Sequence, residues 1–366
     1  MDRSVGARLR DLRLTRGLTQ RQLAEPHYTR AYLSMVEADR VPASEDLLTY
    51  LADRLQITIG DLTGDTARFE GLCAAGEDQL LRGGYAEAAA LFATAAALPV
   101  AGRDIAACRQ VTALALAGDT HAAVRHGEAL VAERPDARAH AALVMPYTIL
   151  GASRRLADAA DSALATLPAD APAELRIFVY RAVTTSFISQ HRFPEAAGYA
   201  HRALALCAPD SVDAGLCRLA LASGRMEDLD WGPAADELRL AVAALAGTSY
   251  QAQARTMLAE ALHRRGDAPG ALAALPEPGE LTGWLGGYAY RIRGLLGPDE
   301  AALRRSMDVF EALGAARELV ESGRCLGRLL AAEGRLAESV AAYERGLAAL
   351  TAPGGDAHRR RDDAPA

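Results

Sequence analysis

The basic groups of this 366-residue chain are all arginines, forty of them, with no lysine. Seven fall within the first thirty residues (Arg3, Arg8, Arg10, Arg13, Arg16, Arg21 and Arg30), against three acids, Asp2, Asp11 and Glu25. That stretch carries +4 while the whole chain carries −7, so the remainder carries −11. A basic end on an acidic body suits contact with phosphates. Arginine can also read a base, because its planar fork pairs bidentately with the O6 and N7 of guanine.

Other chemistry is missing. There is no Walker loop, no GxGxxG behind a strand, no HExxH and no GxSxG. The eight histidines do not cluster at ligand spacing; His121 and His126, five apart, fall on different faces of a helix. Neither catalysis nor a cofactor or metal is therefore expected. Cys73, Cys108, Cys207, Cys217 and Cys325 are odd in number and scattered, with no CxxC, which reads as free thiols in a reducing compartment. The longest uncharged stretch, Ala88–Gly102, is too short to span a bilayer and contains Pro99. With no export signal in view, the expectation is a cytoplasmic, non-membrane protein.

Alanine, the best helix former, is abundant, and runs of alternating Val, Ile or Thr are nearly absent, so the fold class reads as all-α. Val5, Leu9, Leu12 and Leu14 give the apolar stripe of a first helix over about 4–16, ended by Gly17. Thr19 starts a second, with Gln22 completing a capping box and Pro26 closing it. Thr29 caps a third, running to about Ala38, with Ala31, Leu33 and Val36 available for packing. Ser44 caps a fourth, in which Leu47, Leu48, Leu51 and Leu55 recur at helical spacing, and Ile57, Ile59 and Leu62 complete the core. Two short helices joined by a tight turn inside such a five-helix bundle make a helix-turn-helix unit, whose second helix can enter the major groove.

The run LRDLRLTRGLTQRQLAEPHYTRAYLSMVEADRVPASEDLLTYLADRLQI resembles the phage-repressor-like (XRE/Cro) helix-turn-helix family over residues 5–64. The resemblance lies in the Arg–Gly–Leu–Thr–Gln entry, the Leu23–Ala24 pair, the Tyr32–Leu33–Ser34 run and Glu37. The turn Pro26–His27–Tyr28 departs from it, being one residue short and lacking the usual glycine. The resemblance implies binding to double-stranded DNA. Gln20 matches a phosphate contact. Arg30, Ala31, Ser34 and Met35 match positions that face the bases, Thr29 and Tyr32 count with them as DNA-binding residues, and Arg40 lies where a phosphate contact fits. Arg13 and Glu37 match an ion pair tying the first helix to the third.

Behind this head the sequence repeats. In LLRGGYAEAAALFATAAAL the residues Gly83, Tyr85, Ala88, Phe92 and Ala95 stand at the offsets of Gly334, Leu336, Ser339, Tyr343 and Gly346 in LLAAEGRLAESVAAYERGLAAL. With Ala88 as register mark, equivalents fall at Ala123, Ala159, Ala196, Ala235, Ala271, Ser306 and Ser339, at spacings of 35, 36, 37, 39, 36, 35 and 33. This resembles the tetratricopeptide (TPR) repeat, in which each unit is two antiparallel helices. The small residue lets them approach, glycine makes turns such as Gly118–Asp119 and Gly266–Asp267, and Phe92, Phe310 or Tyr343 fills the gap between successive units. Gly127 and Ala200 stand where an aromatic is usual. The expected organisation is a head over 1–64, a right-handed α-solenoid of about eight helix pairs over 67–352, and a disordered tail over 353–366.

A repressor-like head fused to TPR repeats resembles a class of bacterial transcriptional regulators. That implies a homodimer, and a signalling peptide, small molecule or partner protein in the repeat groove. In such repeats the first helix of each pair lines the groove, which would place Arg181, Thr185, Gln253, Glu260, His263, Tyr288, Arg291, Arg324 and Arg328 along it. The chain has no asparagine, the side chain with which peptide-receiving members often clamp a peptide backbone. The alternative reading is an interaction scaffold whose repeats hold a partner protein and whose head is a docking or weak DNA module.

Overall fold

In a computed structural model, residues 4–276, 281 and 283–351 are described; the tail expected from Pro353 lies outside them. Every element among them is helical. Among the described residues no helix is long and apolar enough to cross a membrane. The chain divides into two compact units, Met1–Leu80 with Gly84–Asp119, and Leu81–Gly83 with Thr120–Ala366.

The first unit opens with five short helices: α1 (Val5–Thr15), α2 (Gln20–Ala24), α3 (Arg30–Glu37), α4 (Glu45–Leu55) and α5 (Ile59–Thr63). Their starts are set by side-chain caps, each satisfying an amide that the first turn leaves open. Thr19, Thr29 and Ser44 accept from the amides of Gln22, Tyr32 and Leu47, and Thr19 with Gln22 forms the expected capping box. Thr58 and Asp61 form a second box at the start of α5. Leu9, Leu23, Leu33, Val36, Leu47, Leu51, Leu55 and Leu62 make the core. Two expectations are corrected. Leu14 is exposed and Arg13 is buried in its place, and Ala31 packs into nothing, lying on the open face of α3.

By chain order alone the remaining helices read as eight pairs among the described residues: α6 (Asp65–Arg82) with α7 (Tyr85–Ala96), and α8 (Arg103–Leu116), the last helix of the first unit, with α9 (Thr120–Glu133), which belongs to the second. Then α10 (Ala137–Ala142) and α11 (Val144–Leu150) together precede α12 (Ser153–Ala165), and α13 (Ala173–Ser189) precedes α14 (Phe193–Leu204). Next come α15 (Val212–Glu227) with α16 (Trp231–Ala244), and α17 (Ser249–Arg264) with α18 (Ala268–Ala274). Last are α19 (Gly283–Leu296) with α20 (Glu300–Ala312), and α21 (Ala316–Ala332) with α22 (Leu336–Thr351). All eight register residues, from Ala88 to Ser339, are buried, and each lies on the second helix of its pair.

A small side chain is what a close helix–helix approach requires. Where serine replaces alanine, its hydroxyl is satisfied inside the pair: Ser306 Oγ donates to the Gly287 carbonyl at 2.8 Å and Ser339 Oγ to that of Gly327 at 2.7 Å. The aromatics pack within their own pairs. Phe92, Phe310 and Tyr343 each lie against a glycine on the first helix of their own pair, Gly76, Gly287 and Gly327. A Cβ on any of these would come within 2.6–2.9 Å of the ring, so the glycine is what lets the ring lie flush.

Candidate nucleic-acid interface and ligand cavity

The head is organised around one buried ion pair. Arg13 lies four residues after Leu9, which on a helix puts it on the face turned to the core. Its guanidinium meets Glu37 in a fork, Nε to Oε1 at 2.6 Å and Nη2 to Oε2 at 2.9 Å, and Nη1 donates to the Leu18 carbonyl at 2.8 Å. Hydrogen bonding to Glu37 holds the Arg13 pKa above its ordinary value, against the opposing effect of burial. Gln20 Nε2 donates to the same carboxylate at 2.8 Å, so α1, α2 and α3 share one charge cluster. That leaves the second amide hydrogen of Gln20 for any further partner.

With Leu33, Val36 and Glu37 turned inward, α3 presents the opposite face. Arg30, Ala31, Ser34 and Met35 are all exposed on it, at offsets of one, four and five from Arg30, and Arg40 is exposed just past the helix end. Thr29 spends its hydroxyl oxygen on the Tyr32 amide at 3.2 Å. Tyr32 is half-buried, its ring 5.9 Å from that of Tyr28. The turn that lacks the usual glycine is held by rings instead: Tyr50 lies 5.3 Å from Tyr28 and edge-on to His27 at 5.1 Å, and its hydroxyl donates to the Glu25 carbonyl at 2.6 Å. This ring cluster, unlike the caps, could not be anticipated from the turn alone.

Residues 4–63 match the helix-turn-helix domain family. The chain carries a helix-turn-helix head. Behind the helix-turn-helix, the described helices are TPR-like repeats, and similar folds are known. A Rap protein complexed with competence and sporulation factor is similar with a TM-score of 0.57 at 12% identity, over 95% of this chain and 97% of that one. The apo form of RapI is similar with a TM-score of 0.51 at 11% identity, over 71% of this chain and 98% of that one. Both likenesses are of fold alone. No curated protein matches the chain in sequence.

In the second unit, a cavity of about 630 Å³ lies among α15, α17, α19 and α21, the first helices of the last four pairs. Seven of the nine groove residues expected from sequence line it: Gln253, Glu260, His263, Tyr288, Arg291, Arg324 and Arg328. Arg181 and Thr185, on α13, do not. Arg181 Nη1 lies 3.8 Å from Asp213, and the Thr185 hydroxyl donates to the Arg181 carbonyl at 3.2 Å. The tyrosine and glutamate are tied together: Tyr288 donates its hydroxyl to Glu260, and Arg264 Nη2 lies 3.5 Å from the same carboxylate. Burial first, then the neighbouring Glu260 charge, pushes the Tyr288 pKa well above its ordinary value. Arg324 is paired with Glu321 at 2.5 Å.

Arg291 differs. Its guanidinium lies over the rings of Tyr288 and Phe310, 5.3 and 5.8 Å from their centroids, and its Nη1 is buried without a hydrogen-bond partner among the described residues. Sequence reasoning missed the apolar share of the wall, Met257, Leu295 and above all Trp284, which is 43% exposed. A tryptophan at a helix start reads equally as core, and nothing in the sequence ranks one above the other.

Proposed function

We propose that the chain is a sequence-specific DNA-binding transcriptional regulator, with residues 1–64 as the DNA-binding domain and the repeats over 67–352 as the dimerising and sensing body. The observation that supports it most is the outward face of α3, where Arg30, Ala31, Ser34 and Met35 stand free while Leu33, Val36 and Glu37 anchor the helix behind them. Arg30 pairs with a guanine, Ala31 and Met35 touch thymine methyls, and Ser34 takes a hydrogen bond from either kind of base. Gln20 and Arg40 contact phosphates and set the register, with Thr29 and Tyr32 holding the start of the helix against the backbone.

One recognition helix buries too little surface for tight specific binding, so two heads act together on half-sites about one helical turn apart. The repeat body supplies the dimer contact and takes a ligand in its cavity. The ligand changes DNA affinity only through a difference in its own affinity for the DNA-competent and incompetent arrangements, and a useful switch needs a coupling of about 1–3 kcal/mol.

Gel shift with genomic fragments tests the reading. A regulator retards a discrete subset at protein concentrations that leave bulk DNA free. Retardation of all fragments alike, or of none, favours instead a scaffold whose repeats hold a partner protein.

A further inference from the structure

The charges lining the cavity do not cancel. Five arginines face four glutamates, and two of each are spent on one another, Arg264 with Glu260 and Arg324 with Glu321. Glu227, Arg317 and Arg328 stand at exposed positions where water screens them, and Glu318 is half-buried. That leaves a net single positive charge, and the lining arginine with a buried, unpartnered guanidinium nitrogen is Arg291, a residue otherwise half-buried. A donor nitrogen held away from water without a partner is costly, and aromatic faces compensate only part of that cost. A bound anion would supply the rest through charge-assisted hydrogen bonds.

The walls add a second requirement. Trp284 keeps much of its surface exposed, tilted 5.5 Å from the Tyr288 ring, and Met257 and Leu295 line the same space. An inorganic anion would leave that surface unused. An extended peptide brings backbone amides and carbonyls that each need a partner once buried, and among the described residues Gln253 is the only side-chain amide on the lining. The volume lies within the roughly 300–1,000 Å³ of sites for drug-sized molecules.

We propose that this cavity binds a small organic monoanion, its carboxylate or sulfonate on Arg291 and its apolar, preferably aromatic, body against Trp284, Met257 and Leu295. The inference rests on the sensing role proposed for the body and names the ligand class for it.

The test uses two probes of nearly the same shape, 8-anilino-1-naphthalenesulfonate and its uncharged counterpart N-phenyl-1-naphthylamine, titrated into the full-length protein by fluorescence. The sulfonate is expected to bind one site about tenfold or more tighter than the neutral probe. Arg291→Met keeps the stem on the two rings and removes the charge; it should weaken the sulfonate by about tenfold and leave the neutral probe within about twofold. Trp284→Ala should weaken both. Equal affinity of the two probes for the wild-type protein overturns the proposal and needs no variant. So does a sulfonate affinity untouched by Arg291→Met in a variant that keeps its helical circular dichroism. Gel shift on the same samples separates the two levels: selective DNA binding without charge preference removes this inference and leaves the regulator reading standing, and the reverse result does the opposite.

Discussion

Two arginines, one buried in the head and one half-buried in the repeats, show how differently the same group can be used. Arg13 spends nitrogens on both oxygens of Glu37 and on a backbone carbonyl, and Gln20 completes the carboxylate's partners. Arg291 rests on two rings, and its buried Nη1 has no partner among the described residues. A completed network of this kind is architecture: it fixes α3 against α1 and α2. An incomplete one beside a cavity marks a place where something else completes it. The two sites therefore differ in burial and, above all, in the accounting of donors.

The comparison breaks most readily at Glu37. Glu37→Ala strands Arg13 in a nearly closed site, and the head should lose about 3 kcal/mol, since removing one partner of a buried pair leaves the other uncompensated. Hydrogen exchange in the full chain would show it as lost protection confined to α1–α3; unchanged protection would mean that the pair carries no structural weight. Arg291→Met should do the opposite, melting no earlier than wild type, because it removes a buried guanidinium nitrogen that has no hydrogen-bond partner among the described residues. A fall in melting temperature as large as that of Glu37→Ala would erase the distinction.

On the outer face of α3 the expected losses are of DNA affinity, not stability. Arg30→Ala should cost about 1–3 kcal/mol on the preferred site and relax the choice at one base pair. Gln20→Ala should weaken all sequences roughly alike, by about 1 kcal/mol, since it removes a positioning contact.

The smallest effect concerns a half-buried surface cluster on the last two pairs. Arg335 Nη1 meets Glu300 at 2.6 Å and Arg304 Nε meets it at 2.7 Å, and these hydrogen bonds hold the Glu300 pKa at about 2. A carboxylate depressed in the folded state stabilises it above the ordinary carboxylate range, and that contribution is lost as pH falls toward the folded value. Melting at about pH 6 and about pH 3 should therefore show a slightly larger fall for wild type than for Glu300→Gln, and less so in high salt. Identical falls at low salt would show the cluster to be neutral.

What could be read from the sequence was local chemistry with a fixed offset. Thr19, Thr29 and Ser44 cap because a hydroxyl two or three residues ahead of an open amide has one good thing to do. The register residues were legible because a tight helix crossing tolerates only small side chains, and seven of nine groove residues because one face of a repeat helix is set by its partner. Leu14 was misassigned where the period itself argues against it: five residues past Leu9 the helix has turned away, while four residues past it stands Arg13. Arg181 and Thr185 share the expected face but sit on α13, outside the four helices that wall the cavity. The ring cluster of His27, Tyr28, Tyr32 and Tyr50 and the placement of Trp284 were not legible at all, since both depend on contacts between residues far apart in the chain or on a choice among apolar residues that composition cannot make.

The most direct test of the whole account is selection from a random pool of duplex DNA by the full-length protein, run in parallel with Arg30→Ala. The account predicts that wild type enriches one site with two half-sites about one helical turn apart, and that the variant enriches the same arrangement with the preference lost at one base pair of each half. Enrichment of no site by wild type, or of an identical site by the variant, would contradict it.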